Sequence, residues 1–228
     1  MDNAKELDQV AFDNNVRYLK AVIPDSARIR ERLDQSLPWQ ELKWGPRQVT
    51  LPRLCAYAVE EREMGQLITQ WVCNFFRQTM GITCLVGGIF GNRYRNGNDY
   101  LPDHRDAYGD DVHVVSLSFG ATRLFRFSKG GVVTPKFYLE NSDMIIFSPQ
   151  QNITHTHGIP KQAQIKEERI NLTLFCRFEG NPYSSAFDRT KIPSFEHEPS
   201  LLAALVSEMV ENGLTEEEIS VKLSELGF

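Results

Sequence analysis

Five histidines punctuate the chain, at positions 104, 113, 155, 157 and 197, and some stand where they could share an ion with a neighbour. His104-Arg105-Asp106 sets an imidazole and a carboxylate two residues apart. At strand spacing both project to one side, close enough to reach the same cation. A third ligand must come from elsewhere, and Thr154-His155-Thr156-His157 offers one beyond a block of strand-like segments. Two histidines and a carboxylate on one face of an octahedral ion leave three positions open, which suits non-haem Fe(II) working with O2 and a co-substrate. A loop histidine beside a solvated aspartate would spell the same short pattern. Alternation sends His155 and His157 to the same side, so spacing does not choose between them.

A second signal lies in Arg169–Phe178. Arg169, Asn171, Thr173, Phe175 and Arg177 share one face; Ile170, Leu172, Leu174 and Cys176 share the other. A guanidinium on a face turned toward the core must be paired. The planar fork of arginine fits a carboxylate, so a dicarboxylate co-substrate would answer Arg169. An internal Arg–Glu pair would answer it equally well.

The elements that position these groups are mostly short strands. The spacing predicts a helix over the first twenty or so residues, ended by Pro24, then a loop-rich stretch through Leu37-Pro38-Trp39 and Trp44-Gly45-Pro46. Val49–Val59 reads as strand, and Leu67–Phe76 as a helix with a buried face. Further strands are expected at Cys84–Tyr94, Val112–Phe119, Thr122–Phe127, Lys136–Leu139, Met144–Phe147 and Ile170–Phe178. Turn residues at short intervals suggest a meander or a double-layered β core. Asn181–Pro199 reads as an irregular linker, and 201–228 as two short helices with a Thr215–Glu218 capping box.

The chain has 228 residues, 41% hydrophobic and 24% charged, the proportions of a soluble globular protein. No window holds the roughly 18 apolar residues of a membrane span, and the charged N-terminus does not read as a signal peptide. Cys55, Cys73, Cys84 and Cys176 form no CxxC, which predicts reduced thiols in a cytoplasmic or nuclear protein. Residues 201–228 hold six glutamates and one lysine, which account for the whole net charge of −5. The neutral body argues against a strongly basic duplex-binding domain. Arg28, Arg30, Arg32, Lys43, Arg47 and Arg53 cluster in sequence, either as a local basic patch or as a solvated face.

Several segments resemble the AlkB family of Fe(II)/2-oxoglutarate dioxygenases. The match runs through Asn92-Arg93-Tyr94 to His104-Arg105-Asp106, through Val115–Phe127, through His157-Gly158-Ile159-Pro160-Lys161, and through Arg169-Ile170-Asn171-Leu172-Thr173. Leu37-Pro38-Trp39 and Pro52–Tyr57 are similar to its weaker upstream landmarks, and the resemblance covers about residues 35–178. It implies an α+β protein with a mainly β core, a double-stranded β-helix (jelly roll) with flanking helices. The dioxygenase domain would occupy 1–180, a linker 181–200, and a helical tail open to a protein partner 201–228.

By the same resemblance His104, Asp106 and His157 would bind Fe(II), with His157 preferred to His155 because it opens the family's distal-histidine turn. Gly158 would lend that turn the freedom of positive φ. Arg169 would clamp 2-oxoglutarate with Tyr94, while Asn92, Asn171 and Thr173 would help hold it. Oxidative decarboxylation with O2 would yield succinate and CO2, and hydroxylation of an N-methyl group would release formaldehyde. Phe175 stands where the family carries a second arginine, and Arg177 is the nearby substitute. Tyr57 and Tyr108 are the candidate substrate contacts, Tyr108 standing where a base-reading carboxylate is common. The expected substrate is an alkylated base in DNA or RNA. A methyl-lysine in protein is the rival, and a non-catalytic binding module on the same fold is the third reading.

Overall fold

The computed structural model describes residues 8–12, 15–44, 46, 48–107, 109, 111–195, 209–210, 214–215, 218–219 and 221–222. Among them the strands are β1 (Asp8–Phe12), β2 (Val16–Leu19), β3 (Gln40–Trp44), β4 (Val49–Ala56), β5 (Thr83–Tyr94), β6 (Leu101–His104), β7 (His113–Gly120), β8 (Arg123–Lys129), β9 (Val132–Leu139), β10 (Met144–Phe147), β11 (Thr156–Ile159) and β12 (Arg169–Glu179). The helices between them are α1 (Ser26–Ser36), α2 (Glu63–Met80) and the short α3 (Pro149–Thr154). The core is mainly β, with helices at its flanks.

Two sheets carry the architecture. The larger has strand order β1-β2-β10-β7-β12-β5-β4-β3, and the smaller β6-β11-β8-β9. Every pairing is antiparallel. One apolar cluster draws on both: Val16, Tyr18, Tyr94, Val114, Ile145 and Phe147 from the large sheet meet Phe125, Phe127, Phe137, Leu139 and Ile159 from the small one. Each such side chain, fully buried, contributes roughly 1.5–3 kcal/mol. The opposite face of the large sheet is covered by helix. Phe76 of α2 sets its ring edge against Phe178 of β12 at 4.7 Å, and Trp39 lies across Gly91 of β5, where a Cβ would come within 3.0 Å of the indole.

The N-terminal segment is not the expected helix. Val16–Leu19 is a strand hydrogen-bonded between β1 and β10, and all four of its residues are buried. A helix would have turned Arg17 to solvent. Here its guanidinium donates to the carbonyls of Pro182 and Ser185, both at 2.8 Å, so the charge is accommodated inside. A helix forms instead within the stretch read as loop: α1 buries Ile29 and Leu33, one turn apart.

The chain forms two compact units, Met1–Ser194 and Phe195–Phe228. Residues 181–194, read as linker, belong to the first: Trp71 donates to the Pro193 carbonyl at 3.1 Å, and Asp188 N–H to that of Thr79 at 2.9 Å. Most of the tail lies outside the described residues. In the second unit the Thr215 amide donates to Glu218 Oε2 at 2.8 Å, and the Glu218 amide to Thr215 Oγ1 at 3.4 Å, closing the capping box.

In the small sheet His157 of β11 pairs with His104 of β6. Gly158 owes its place to this pairing rather than to positive φ, which it does not adopt. A Cβ there would lie 2.5 Å from Asp103 Oδ1 and 2.8 Å from the Leu101 carbonyl. Gly158→Ala is therefore expected to cost about 1–3 kcal/mol of stability by overpacking. Gly87→Ala, whose Cβ meets only the Phe175 carbonyl at 3.6 Å, should stay within about 0.5 kcal/mol of the unsubstituted protein. Paired urea titrations check both.

Candidate active site

The large sheet builds one wall by register. Asn92 of β5 is opposite Asn171 of β12, which is opposite Ser118 of β7; Phe90, Thr173 and Ser116 form the next row, and Tyr94, Arg169 and Gly120 the row on the other side. Side chains two apart share a face, so the polar groups of three strands converge. Asn92 Nδ2 donates to Asn171 Oδ1 at 3.1 Å, as does Thr173 Oγ1; Asn171 Nδ2 donates to Ser116 Oγ at 2.7 Å.

The small sheet and the loop after it supply the other wall. His104 Nε2 and Asp106 Oδ1 lie 3.4 Å apart, and His157 Nε2 is 3.4 Å from Asp106 Oδ2. One ligand atom from each of the three falls within 4.8 Å of the others, the only such grouping among the described residues. His104 Nδ1 lies 3.0 Å from the carbonyls of Pro102 and His157. These two carbonyls hold the ring through Nδ1 and turn its Nε2 toward the aspartate. His157 is 4% exposed and ringed by Phe125, Phe127 and Phe147.

Asn152 of α3 fixes the aspartate, accepting from the Asp106 amide at 3.0 Å and donating to its carbonyl at 2.9 Å. Nothing in the sequence singles out Asn152, because the contact joins α3 to a segment 46 residues earlier in the chain. His155 sits at the end of α3, with Nδ1 2.9 Å from Thr154 Oγ1, and is not in the cluster.

Between the walls is a cavity of about 590 Å³. His104, Asp106, His157, Asn92, Asn171, Thr173 and Tyr57 all line it, with Phe175 among the apolar residues. Tyr94 and Arg169 lie one row along the wall, fully buried. Arg169 Nη2 donates to Ser118 Oγ at 2.8 Å, while among the described residues Nε and Nη1 have no hydrogen-bond partner, nor has the Tyr94 hydroxyl. Burial pushes the Arg169 guanidinium down to about 10, so it stays charged at neutral pH.

Arg177 does not reach the cavity. It is exposed, and its Nε is 2.6 Å from Asp111 Oδ2. Two further residues of strand carry it about 6–7 Å beyond Phe175, to the rim. Tyr108 lies outside the described residues. The basic run is dispersed as well: Arg30 pairs with Glu168 and Arg32 with Glu63, while Arg53 is buried against the cavity.

The family model described as the 2OG-Fe(II) oxygenase superfamily matches residues 21–174. The chain belongs to this superfamily. Members use Fe(II), 2-oxoglutarate and O2, and the buried atoms left without partners fit that set: a His-Asp-His cluster for a metal, and a guanidinium for a carboxylate. Within the superfamily the chain is AlkB-like. It is 26% identical over 172 residues to a human protein named alpha-ketoglutarate-dependent dioxygenase alkB homolog 3, covering 64% of this chain and 59% of that one. It is 28% identical over 115 residues to the mouse DNA oxidative demethylase ALKBH2, covering 45% and 46%. The chain thus spans about three fifths or less of these relatives. Among solved structures, a 2OG-Fe(II) oxygenase family oxidoreductase from Burkholderia pseudomallei matches with a TM-score of 0.51 at 17% identity, over 78% of this chain and 89% of that one. OsALKBH1 matches at 0.50 and 16%, over 71% and 96%. Both likenesses are of fold.

Titration follows from burial. Burial pushes the His157 imidazole from 6.5 down to about 4, against the pull of Asp106. Burial also lowers His113, against Asp111. Burial alone would raise Asp106, but the His104 hydrogen bond and both imidazoles outweigh it and hold the carboxyl below 3.8. As pH falls below 6.5 the unfolded chain takes up histidine protons first, so metal-free protein should lose stability between pH 6.5 and 4. His157 alone contributes about 3 kcal/mol to that loss, and Asp106 adds its own share only below 3.8. Urea midpoints across this range, beside those of His157→Gln, check it: the variant's slope should be shallower.

Proposed function

We propose that the protein is an Fe(II)/2-oxoglutarate-dependent dioxygenase that removes N-alkyl groups from nucleobases in DNA or RNA. The carrying observation is that the His104–Asp106–His157 cluster shares one cavity wall-to-wall with the Asn92–Asn171–Thr173 network, beside a buried arginine whose Nε and Nη1 lack partners among the described residues. The two facing sheets are read as a double-stranded β-helix, with the 181–194 segment packed on the oxygenase domain and the tail of 201–228 as a separate module for a protein partner. Four free cysteines support a cytoplasmic or nuclear setting. No helix among the described residues is long and apolar enough to cross a membrane.

In this reading His104, Asp106 and His157 would hold Fe(II). With 2-oxoglutarate and O2, the bound ion supplies the oxidation that gives succinate, CO2 and a hydroxylated substrate carbon. The chain's own part is to position and to exclude water. Asn152 fixes the backbone of Asp106, and the His157 carbonyl holds the His104 ring. Arg169 and Tyr94 would receive the distal carboxylate, with Asn92, Asn171 and Thr173 along its length. Phe125, Phe127 and Phe147 keep the metal side dry. Tyr57, set edge-on against Phe90 at 4.8 Å, offers a ring at the cavity mouth on which a flipped base can stack. Hydroxylation of N–CH3 gives N–CH2OH, which releases formaldehyde and leaves N–H.

The test is iron-loaded protein with 2-oxoglutarate and methylated single-stranded DNA, RNA or histone peptide, read as succinate and formaldehyde together. Coupled release with an oligonucleotide is expected. Coupling only with peptide would move the substrate to protein, and no succinate with any of them would leave a binding module. Arg169→Ala should raise the 2-oxoglutarate requirement about ten- to a hundredfold, through the loss of a charge-assisted fork, with metal affinity retained.

A further inference from the structure

Strand β4 brings a second buried guanidinium to the cavity. Arg53 is 6% exposed and lines the cavity together with His104, Asp106 and His157. Its Nε donates to Asn92 Oδ1 at 2.6 Å, and its Nη1 is buried without a hydrogen-bond partner among the described residues. Arg123, also buried, shows what a purely structural arginine looks like here. Its nitrogens reach the carbonyls of Asn96, Asp99 and Pro160 and the side chain of Gln162. Arg53 has no such set, and among the described residues no carboxylate pairs with it, so its buried charge is left unanswered there.

Its position adds the second observation. Leu54 is opposite Arg93 and Cys55 opposite Asn92, so Arg53 stands one place on, level with Tyr94, which is itself opposite Arg169. Two guanidiniums therefore flank one tyrosine in a single row of the wall. Along β12 the place after Thr173 on the cavity face is the apolar Phe175, and Arg177 is taken by Asp111 at the rim. The cavity face of β12 thus offers one cation, whereas a dicarboxylate carries two charges.

We propose that Arg53 is the second cation of the co-substrate site. Arg169 answers one carboxylate of 2-oxoglutarate, and Arg53, oriented by Asn92, answers the other. This makes good from β4 the charge that β12 lacks at Phe175. Because Arg53 and Asn171 both bond to Asn92, the guanidinium and the amide floor would be set as one unit. The proposal rests on the reading of the cavity as a 2-oxoglutarate site.

The experiment is calorimetric titration of 2-oxoglutarate into the full chain loaded with Zn(II), which keeps the site redox-silent. Arg53→Gln should weaken binding about ten- to a hundredfold, and Arg177→Ala should leave it unchanged. Adding Phe175→Arg to Arg53→Gln should restore much of the loss. A methylated oligonucleotide, titrated at saturating 2-oxoglutarate, should bind Arg53→Gln as it binds the unsubstituted protein. Unchanged 2-oxoglutarate affinity with weakened oligonucleotide binding would overturn the proposal and make Arg53 a substrate contact. Should melting curves show that Arg53→Gln does not fold, the double variant carries the test, near-normal affinity supporting the proposal and lost affinity overturning it. Unsubstituted protein that binds no 2-oxoglutarate overturns the co-substrate reading itself, and this proposal with it.

Discussion

The register of β12 between β5 and β7 is the constraint on which the rest depends. It is continuous from Arg169 to Thr173 on both sides. A slip of one residue on β12 would turn Ile170, Leu172 and Leu174 into the cavity and Arg169, Asn171 and Thr173 into the layer beneath the helices. Burial enforces the correct choice, because the apolar set is fully buried and the polar set finds amides and hydroxyls across the strands. The same register places Asn92 where it bonds both to Asn171 and to Arg53, so a single alignment organises one whole wall.

The opposite wall is built on a different principle. Its three ionisable groups come from one strand pair and the segment that follows: backbone pairing sets the two histidines side by side, and the Asn152 side chain holds Asp106 beyond the end of β6. Arg126 grips Asp103 through two nitrogens at 3.1 and 3.0 Å, which steadies the residue next to His104. The aromatic cluster behind His157 has no polar alternative to offer the ring, and the ring is kept neutral and oriented toward Asp106.

Part of the cavity lining is legible in local pattern, whereas His157 is chosen over His155 by resemblance and not by spacing. His104 and Asp106 are two apart, and Arg169, Asn171 and Thr173 alternate on a strand whose other face is apolar. What could not be read depends on distant partners. Val16–Leu19 looks amphipathic in isolation; it becomes a strand because β10 pairs with it and because carbonyls far along the chain receive Arg17. Helix α1 shows only two buried aliphatic positions, Ile29 and Leu33, among charges. Arg53 sits in a basic run whose other described members face solvent or pair at the surface, so its burial is invisible without the sheet. Arg177 has the right parity for the cavity but lies past the end of the wall that would cover it.

The direct pairing of His157 with His104 makes the two imidazoles neighbours across a single β ladder. An ion gripping both would act as a rivet between β6 and β11, the strand at the edge of the small sheet and the one beside it. Occupancy and the integrity of that edge are then thermodynamically linked. A free ion at a hundred times its dissociation constant holds the folded form by about 2.7 kcal/mol. Fluctuations that unzip β6 from β11 must first expel it. Metal status would thus be legible in the solvent exchange of the β6 and β11 amides, at a distance from any chemistry in the cavity.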